Sequence, residues 1–262
     1  MIKLENTEVM GWEAAIRGAR NPLNSWARSD STFTDVFDDY EDLASYYVQS
    51  PDIGPNDLDL MSRLRNAGTD HRKFMRMITV YLDITAPLYW WKEFDTYKVG
   101  TVANSCSTMH KIADKEFTLE DFSCEHLIRI DTLKEIRETK DAFAFVNAND
   151  NTEYWDAIDV LTMTIEGLNF YRNKYLEAKA KPMKEEAKRA PLMKTYWWQM
   201  IQLLPSSYNQ RRTVLLNYEV LANMYKSRKN HKLDEWKDFC KWIETLPYSE
   251  LITGGKENGE PK

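Results

Sequence analysis

The spacing of apolar positions along the chain changes several times, and each change marks a boundary between strand and helix. Residues 2–9, IKLENTEV, read as an opening strand, and GWEAAIRGAR as an amphipathic helix that Asn21, Pro22 and Asn24 end. Residues 30–56, with Pro51, Gly54 and Pro55, read as irregular or only briefly helical. Pro55-Asn56-Asp57 should open a helix through LDLMSRLRNAG, with Gly68 where a C-terminal capping glycine belongs. MRMITVYLDI alternates and is rich in β-branched and aromatic residues, as a strand requires. Pro87 then suits the first turn of a helix through LYWWKEF. Residues 112–150 mix short strand and helix signals and give no assignment.

The second half is more regular. TEYWDAIDVLTMTIEGLNFYRNKYLEAKAK predicts one long helix, because Trp155, Ile158, Leu161, Ile165, Leu168 and Tyr171 recur at three- and four-residue steps. A second helix should follow Pro182 and run through APLMKTYWWQMIQLL to Pro205. QRRTVLL predicts a short strand, YEVLANMYKSR a helix and LDEWKDFCKWIETL a last helix. The tail GGKENGEPK, residues 254–262, is polar and glycine-containing and is expected to be disordered. The pattern gives an α+β protein with more helix than strand. At 262 residues it suits one elaborate domain over 1–253, or a domain with a helical insert.

Composition narrows the function classes. The formal net charge of -6 leaves no overall basic excess to neutralise phosphates, so non-specific nucleic-acid binding is not expected, although a local basic pocket for a nucleotide remains open. Cys106, Cys124 and Cys240 form no CxxC pair, which suits free thiols in a reducing compartment. The N-terminus is charged from its third residue, and no run approaches the ~18 apolar residues of a membrane span. A cytoplasmic protein without membrane contact is the expectation.

Standard catalytic motifs are missing from the sequence. His71, His110, His126 and His231 are widely spaced, so no HExxH or paired-CxxC metal site is expected. GxGxxG, Walker A and GxSxG motifs do not occur. Glu153, Asp156 and Asp159 would share one helix face, and without a Glu-x-x-His companion they read as a solvated face. Trp90-Trp91 and Trp197-Trp198 read as core aromatics. Cys106 has no nearby His or helix-start signal and reads as an inert thiol.

Four stretches together resemble the flavin-dependent thymidylate synthases. AAIRGAR looks like that family's opening helix, and GTDHRKFMRMITVYLDITAP like its Gly-His stretch leading into an aromatic-rich strand that closes on Ala-Pro. After Pro87 the family continues Arg-Gln-x-x-Arg-His-Arg-x-x-Ser and then Asn-Glu-x-Ser-x-Arg. Here Lys92-Glu93 stand at the Arg-Gln, Thr96-Tyr97-Lys98 at the Arg-His-Arg and Thr101 at the first Ser. With one inserted residue, Asn104 and Ser107 fall on the Asn and second Ser, while Ser105 replaces the Glu and Met109 the final Arg. Towards the C-terminus, Leu204-Pro205, Asn217, Asn223 and Arg228 keep the family's intervals, and His231 and Trp236 follow in similar places.

The resemblance implies a thymidylate synthase-like fold, an antiparallel sheet packed with helices plus a long helical segment, in a homotetramer. It implies FAD as cofactor and dUMP, or a related pyrimidine nucleotide, as the methyl acceptor. NADPH and methylenetetrahydrofolate would be the co-substrates. It places His71, Asn217, Asn223 and His231 at the flavin, Arg228 at the pyrimidine as the polarising group, and Lys98, Thr101, Asn104 and Ser107 at the nucleotide. The departures bear on the chemistry. A nucleotide monophosphate carries about two negative charges, best held by Arg forks or backbone N–H groups. The loop TYKVGTVANSCST offers only Lys98, and Ile201 stands where the family has an Arg. Three readings stay open: a family enzyme, an enzyme with a changed nucleotide or one-carbon substrate, and a non-catalytic protein that keeps the fold for nucleotide binding or assembly.

Overall fold

The structure, a computed structural model, describes residues 2–37, 47–130, 143–146, 152–182 and 186–254. The strands are β1 (Lys3–Met10), β2 (Thr32–Phe37), β3 (Tyr47–Asp52), β4 (Thr79–Pro87), β5 (Val102–Ser105), β6 (Phe143–Val146), β7 (Thr152–Trp155) and β8 (Asn209–Asn217). The helices are α1 (Trp12–Arg20), α2 (Pro55–Asn66), α3 (Leu88–Phe94), α4 (Thr108–Lys111), α5 (Ala157–Lys179), α6 (Glu186–Leu203), α7 (Tyr218–Arg228), α8 (Asp234–Glu244) and α9 (Glu250–Thr253). The chain divides into two compact units. A sheet unit comprises Ile2–Ala86, Trp90–Ser105 and Arg211–Lys262, and a helical unit comprises Pro87–Tyr89 and Cys106–Gln210.

In the sheet unit four strands run in the order β1-β4-β8-β5, with β1 antiparallel to β4 and β5 antiparallel to β8. The period-2 pattern sends Val80, Leu82 and Ile84 of β4 and Val214 and Leu216 of β8 inward. Beneath them lies an aromatic cluster. Trp90 packs 4.7 Å from Trp236 and 5.1 Å from Phe94, while Trp12 meets Tyr218 edge-on at 5.1 Å. Trp90 and Trp91 are fully buried, as the sequence led us to expect. Helix α1 buries Trp12, Ala15, Ile16, Ala19 and Arg20, the one-sided stripe of an amphipathic helix.

Arg20 ends on the Asp57 carboxylate at 2.5 Å, and both groups are buried. Burial pushes the Asp57 carboxyl up. The hydroxyls of Ser31 and Ser29, the Arg20 guanidinium and the Asp30 N–H more than offset it, so it sits below the usual carboxylate range. This pair ties the end of α1 to the first turn of α2.

Residues 30–56 differ from the sequence reading. They contain β2 and β3, paired antiparallel from Thr32↔Asp52 to Phe37↔Tyr47. The alternation of β-branched and aromatic residues in TFTDVF outweighs the breakers, because Pro51 lies near the strand end, where a missing N–H is tolerated. Helix α2 ends as expected: Ala67 is its C-cap and Gly68 follows in the left-handed region at φ 106°.

The helical unit is built on α5 and α6. Ile112, Phe117, Phe122, Leu161, Ile165, Leu168 and Met200 form its core. The long helix starts later than its apolar spacing suggested. Thr152–Trp155 is strand β7, paired with β6, and Asp156 caps α5 through a reciprocal capping box with Asp159. Glu153, Asp156 and Asp159 therefore share no helix face: one is in a strand, one is the cap, and one completes it. Trp198 also departs from expectation, being 41% exposed, and Trp197 is half-buried with its indole N–H on the Met109 carbonyl at 2.9 Å. Residues 255–262 of the expected tail lie outside the described residues. Among the described residues no helix is long and apolar enough to cross a membrane, and no cluster of His, Cys, Asp and Glu suits a metal ion.

On the outer face of the sheet, Asp83 accepts from Thr213, Arg211 and Asn6, which together hold its carboxyl at about 2, below the usual carboxylate range. A lowered folded-state pKa stabilises the fold above the unfolded value and is lost as pH falls through the folded one. Asp83→Asn should therefore cost more stability near neutral pH than at about pH 3. Urea unfolding of both proteins at the two pH values measures this, and an equal cost at both contradicts it.

Candidate functional site

The first group of family-like residues in the sheet unit comes from α3 with the loop after it, the end of α7 with the loop after it, and the start of α8. Helix α3 ends at Phe94, and the chain turns through Thr96 N–H to Glu93 O (3.2 Å) and Tyr97 N–H to Phe94 O (3.0 Å). Arg228 lies in the last turn of α7, an end that favours a cation. Its Nη1 donates to Glu93 Oε2 at 2.6 Å and its Nε to the Tyr97 hydroxyl at 2.9 Å. The guanidinium stacks over the Trp236 ring at 4.8 Å.

The same Glu93 oxygen accepts from Trp236 Nε1 at 2.8 Å and lies 3.4 Å from His231 Nε2. His231 Nδ1 accepts from the Leu233 N–H at 3.2 Å, which places the ring proton of the neutral tautomer on Nε2, facing Glu93. One carboxylate oxygen thus gathers an arginine, an indole and an imidazole. Arg228 and His231, which the sequence reading assigned to pyrimidine and flavin, meet here.

Asn217 is the N-cap of α7. Its Oδ1 accepts from Val220 N–H at 2.9 Å, and its Nδ2 donates to the Gly100 carbonyl at 3.2 Å. Gly100 has φ 79°, and a Cβ there would lie 2.6 Å from Asn217 Nδ2, so both backbone shape and side-chain reach require glycine. The side chain is 9% exposed and committed on both sides. It anchors the loop to the helix.

His71 and Asn223 belong to a second group. His71 is exposed and opens a 3-10 turn, Arg72–Arg76, that carries Arg72, Lys73 and Arg76. Arg72 donates to Glu219 Oε1 at 3.3 Å and to Asn223 Oδ1 at 3.2 Å. Arg76 also bonds Glu219, which raises the Arg76 pKa further. Glu219 is buried, whereas the Arg76 side chain is 58% exposed. Two arginines share one buried carboxylate beside Asn223, and Asp70 adds a second negative charge near Arg76.

The remaining residues of the reading are dispersed. Lys98 and Asn104 are exposed, Asn104 in β5 opposite Thr213. Thr101 Oγ1 donates to the Tyr97 carbonyl. Ser107, in the helical unit, caps α4 by accepting from His110 N–H at 3.2 Å. Cys106 is exposed, and its carbonyl accepts from Gln210 Nε2 at 2.9 Å.

No protein-family model and no curated protein sequence matches the chain. Solved structures do. Crystal structures of thymidylate synthase X from Helicobacter pylori, with FAD and dUMP, align over 97% of this chain and 98% of theirs, with a TM-score of 0.57. The fold is that of the flavin-dependent thymidylate synthases. Sequence identity to the two is 15% and 16%.

Against that fold, the sequence reading selected Arg228, His231, Asn217, Asn223 and His71 but missed the groups that hold them. Glu93 stood out as a substitution without a partner. In the sequence Tyr97 is one of three residues at the Arg-His-Arg, Trp236 matches the family in place only, and Glu219 carries no signal. The basic density of HRKFMR, residues 71–76, was the available signal for Arg72 and Arg76.

Removing the Asn217 cap should cost about 1–2 kcal/mol. Asn217→Asp keeps the cap acceptor and loses only the Gly100 link, so it should cost less than Asn217→Ala. Urea midpoints of the two variants give the comparison; equal costs would place no weight on the cap.

Proposed function

We propose that this chain is an FAD-binding protein that acts on a pyrimidine nucleotide, dUMP or a close relative. The observation that carries the reading is the guanidinium pair of Arg72 and Arg76, braced by buried Glu219, with Asn223 bonded to Arg72 and His71 next to it in the chain. Its donor set suits a phosphorylated cofactor. Guanidinium forks bind phosphate oxygens in pairs, and Asn and His add neutral donors. The shared fold with thymidylate synthase X, crystallised with FAD and dUMP, supports the same cofactor here. A bound flavin would supply hydride chemistry, with NADPH as reductant and methylenetetrahydrofolate as carbon donor for C5 of dUMP. Lys98, Thr101, Asn104 and Ser107 would contact the nucleotide, and the assembly would be a cytoplasmic homotetramer.

The pyrimidine half of the donor set fits less well. On this reading Arg228 would polarise the ring, yet the Glu93 carboxylate already takes its charge. Hydrogen bonds to an ionised acceptor are about twice as strong as neutral ones, so a uracil carbonyl does not displace Glu93. Freeing Arg228 would cost roughly 1.5–3 kcal/mol, a ten- to hundredfold penalty on nucleotide affinity. This favours a second reading, a flavin- or nucleotide-binding protein that keeps the fold without thymidylate synthesis.

The absorbance spectrum of the purified protein with added FAD tests the cofactor. The reading expects the flavin bands, and binding at least about tenfold weaker when Arg72 and Arg76 are both replaced by Ala. A protein that takes up no FAD overturns it. Formation of dTMP from dUMP with methylenetetrahydrofolate and NADPH separates the two readings, because only the enzyme makes it.

A further inference from the structure

The helical unit holds a cleft of about 810 Å³ between the Met109–Asp114 turn, the end of α5 and the middle of α6. That size suits a small organic ligand, whose pockets span about 300–1,000 Å³. Its walls combine Met109, Ile112, Tyr175, Met193 and Trp197. Two bonds fix their shape before any ligand arrives. Trp197 Nε1 donates to the Met109 carbonyl at 2.9 Å, and Arg172 Nε donates to the Ala113 carbonyl at 3.1 Å.

The charges around this apolar wall are unequal. Asp114 is paired with Lys111 at 2.8 Å, which neutralises the one acidic group of the lining. Lys179 and Lys194 also line the cleft, and neither has an ion pair among the described residues. The His110 imidazole lies in the same lining. Two ammonium groups over aromatic and thioether surface match a ligand with the opposite charge and a flat apolar body. Asp114, already bonded to Lys111, also acts on Lys179 at longer range, so a purely apolar molecule would leave Lys194 without a counter-charge and Lys179 with only a shared one. An inorganic anion would leave the aromatic wall unused.

We propose that this cleft is a binding site for a small aromatic anion, a carboxylate, phosphate or sulfonate carried on a ring system. The site lies wholly within the helical unit and shares no residue with the Glu93 or Glu219 groups, so it stands independently of the flavin reading. Lys194 and Lys179 hold the anion, and Tyr175, Trp197 and the two methionines take the ring.

Titration of the full-length protein with 8-anilinonaphthalene-1-sulfonate, followed by its fluorescence, tests this directly. N-phenyl-1-naphthylamine, the same ring system without the sulfonate, is the neutral control, and inorganic phosphate the ringless one. The proposal expects one saturable sulfonate site, with the amine at least about tenfold weaker and phosphate a poor competitor. The double variant Lys179→Glu, Lys194→Glu should weaken the sulfonate about tenfold or more and leave the amine unchanged. Both lysines are exposed, so the variant keeps its core. Met193→Trp, which fills the cleft, should weaken both probes. The proposal is overturned by sulfonate binding that ignores both variants, by equal affinity for the amine, or by no saturable site.

Discussion

Glu93 Oε2 organises the candidate site, because one oxygen joins three segments of the sheet unit. Arg228 reaches it from the end of α7, Trp236 from the first turn of α8, and His231 from the loop between them. Tyr97, three residues after the end of α3, closes the ring through Arg228 Nε. The carboxylate is one-third exposed and the guanidinium 18% exposed, so water screens the pair only in part. The stack of Arg228 on Trp236 links this polar hub to the aromatic cluster around Trp90. Loss of Glu93 would leave a partly buried guanidinium, an indole N–H and an imidazole N–H without their shared acceptor.

Two polar groups with different outlooks follow from this arrangement. Around Glu93 the positive charge of Arg228 is spent within the protein. Around Glu219 one carboxylate serves two arginines, with Asp70 also near Arg76, and the Arg76 side chain is more than half exposed. The side chain of Asn217 serves neither group, since its two polar ends hold the α7 cap and Gly100. Arg228 is therefore paired inside the protein, whereas the Arg76 side chain stays largely exposed. That contrast is what separates the two proposed readings, one in which the nucleotide chemistry persists and one in which only flavin or nucleotide binding does.

Much of this fold was legible in the sequence where local signals and tertiary packing agree. Helix α1, the α2 start at Pro55 and the Pro87-led α3 follow from periodicity and proline placement, and β8 and α7 from the alternation of QRRTVLL and the helical spacing after it. Strands β2 and β3 were obscured by Pro51 and Gly54, whose breaker signals lie at the edge of the pair and not within it. The start of α5 was misplaced because Trp155 continues the helical spacing by coincidence, whereas the capping box of Asp156 and Asp159 sets the true boundary. In the site, residue identities were legible but pairings were not. Nothing along the chain connects Glu93 to Arg228 or Arg72 to Glu219, since those contacts span 135 and 147 residues. A reading that places Arg228 at a substrate has no way to see the carboxylate that takes it first.

The most direct test of this account is the coupling energy between Glu93 and Arg228. It comes from urea unfolding of the parent, Glu93→Gln, Arg228→Gln and the double variant. The account predicts coupling on the order of 1–3 kcal/mol, because the pair is partly buried and shares further partners. Coupling within error of zero would mean that Glu93 does not hold Arg228 in solution, and Arg228 would then be free for a nucleotide.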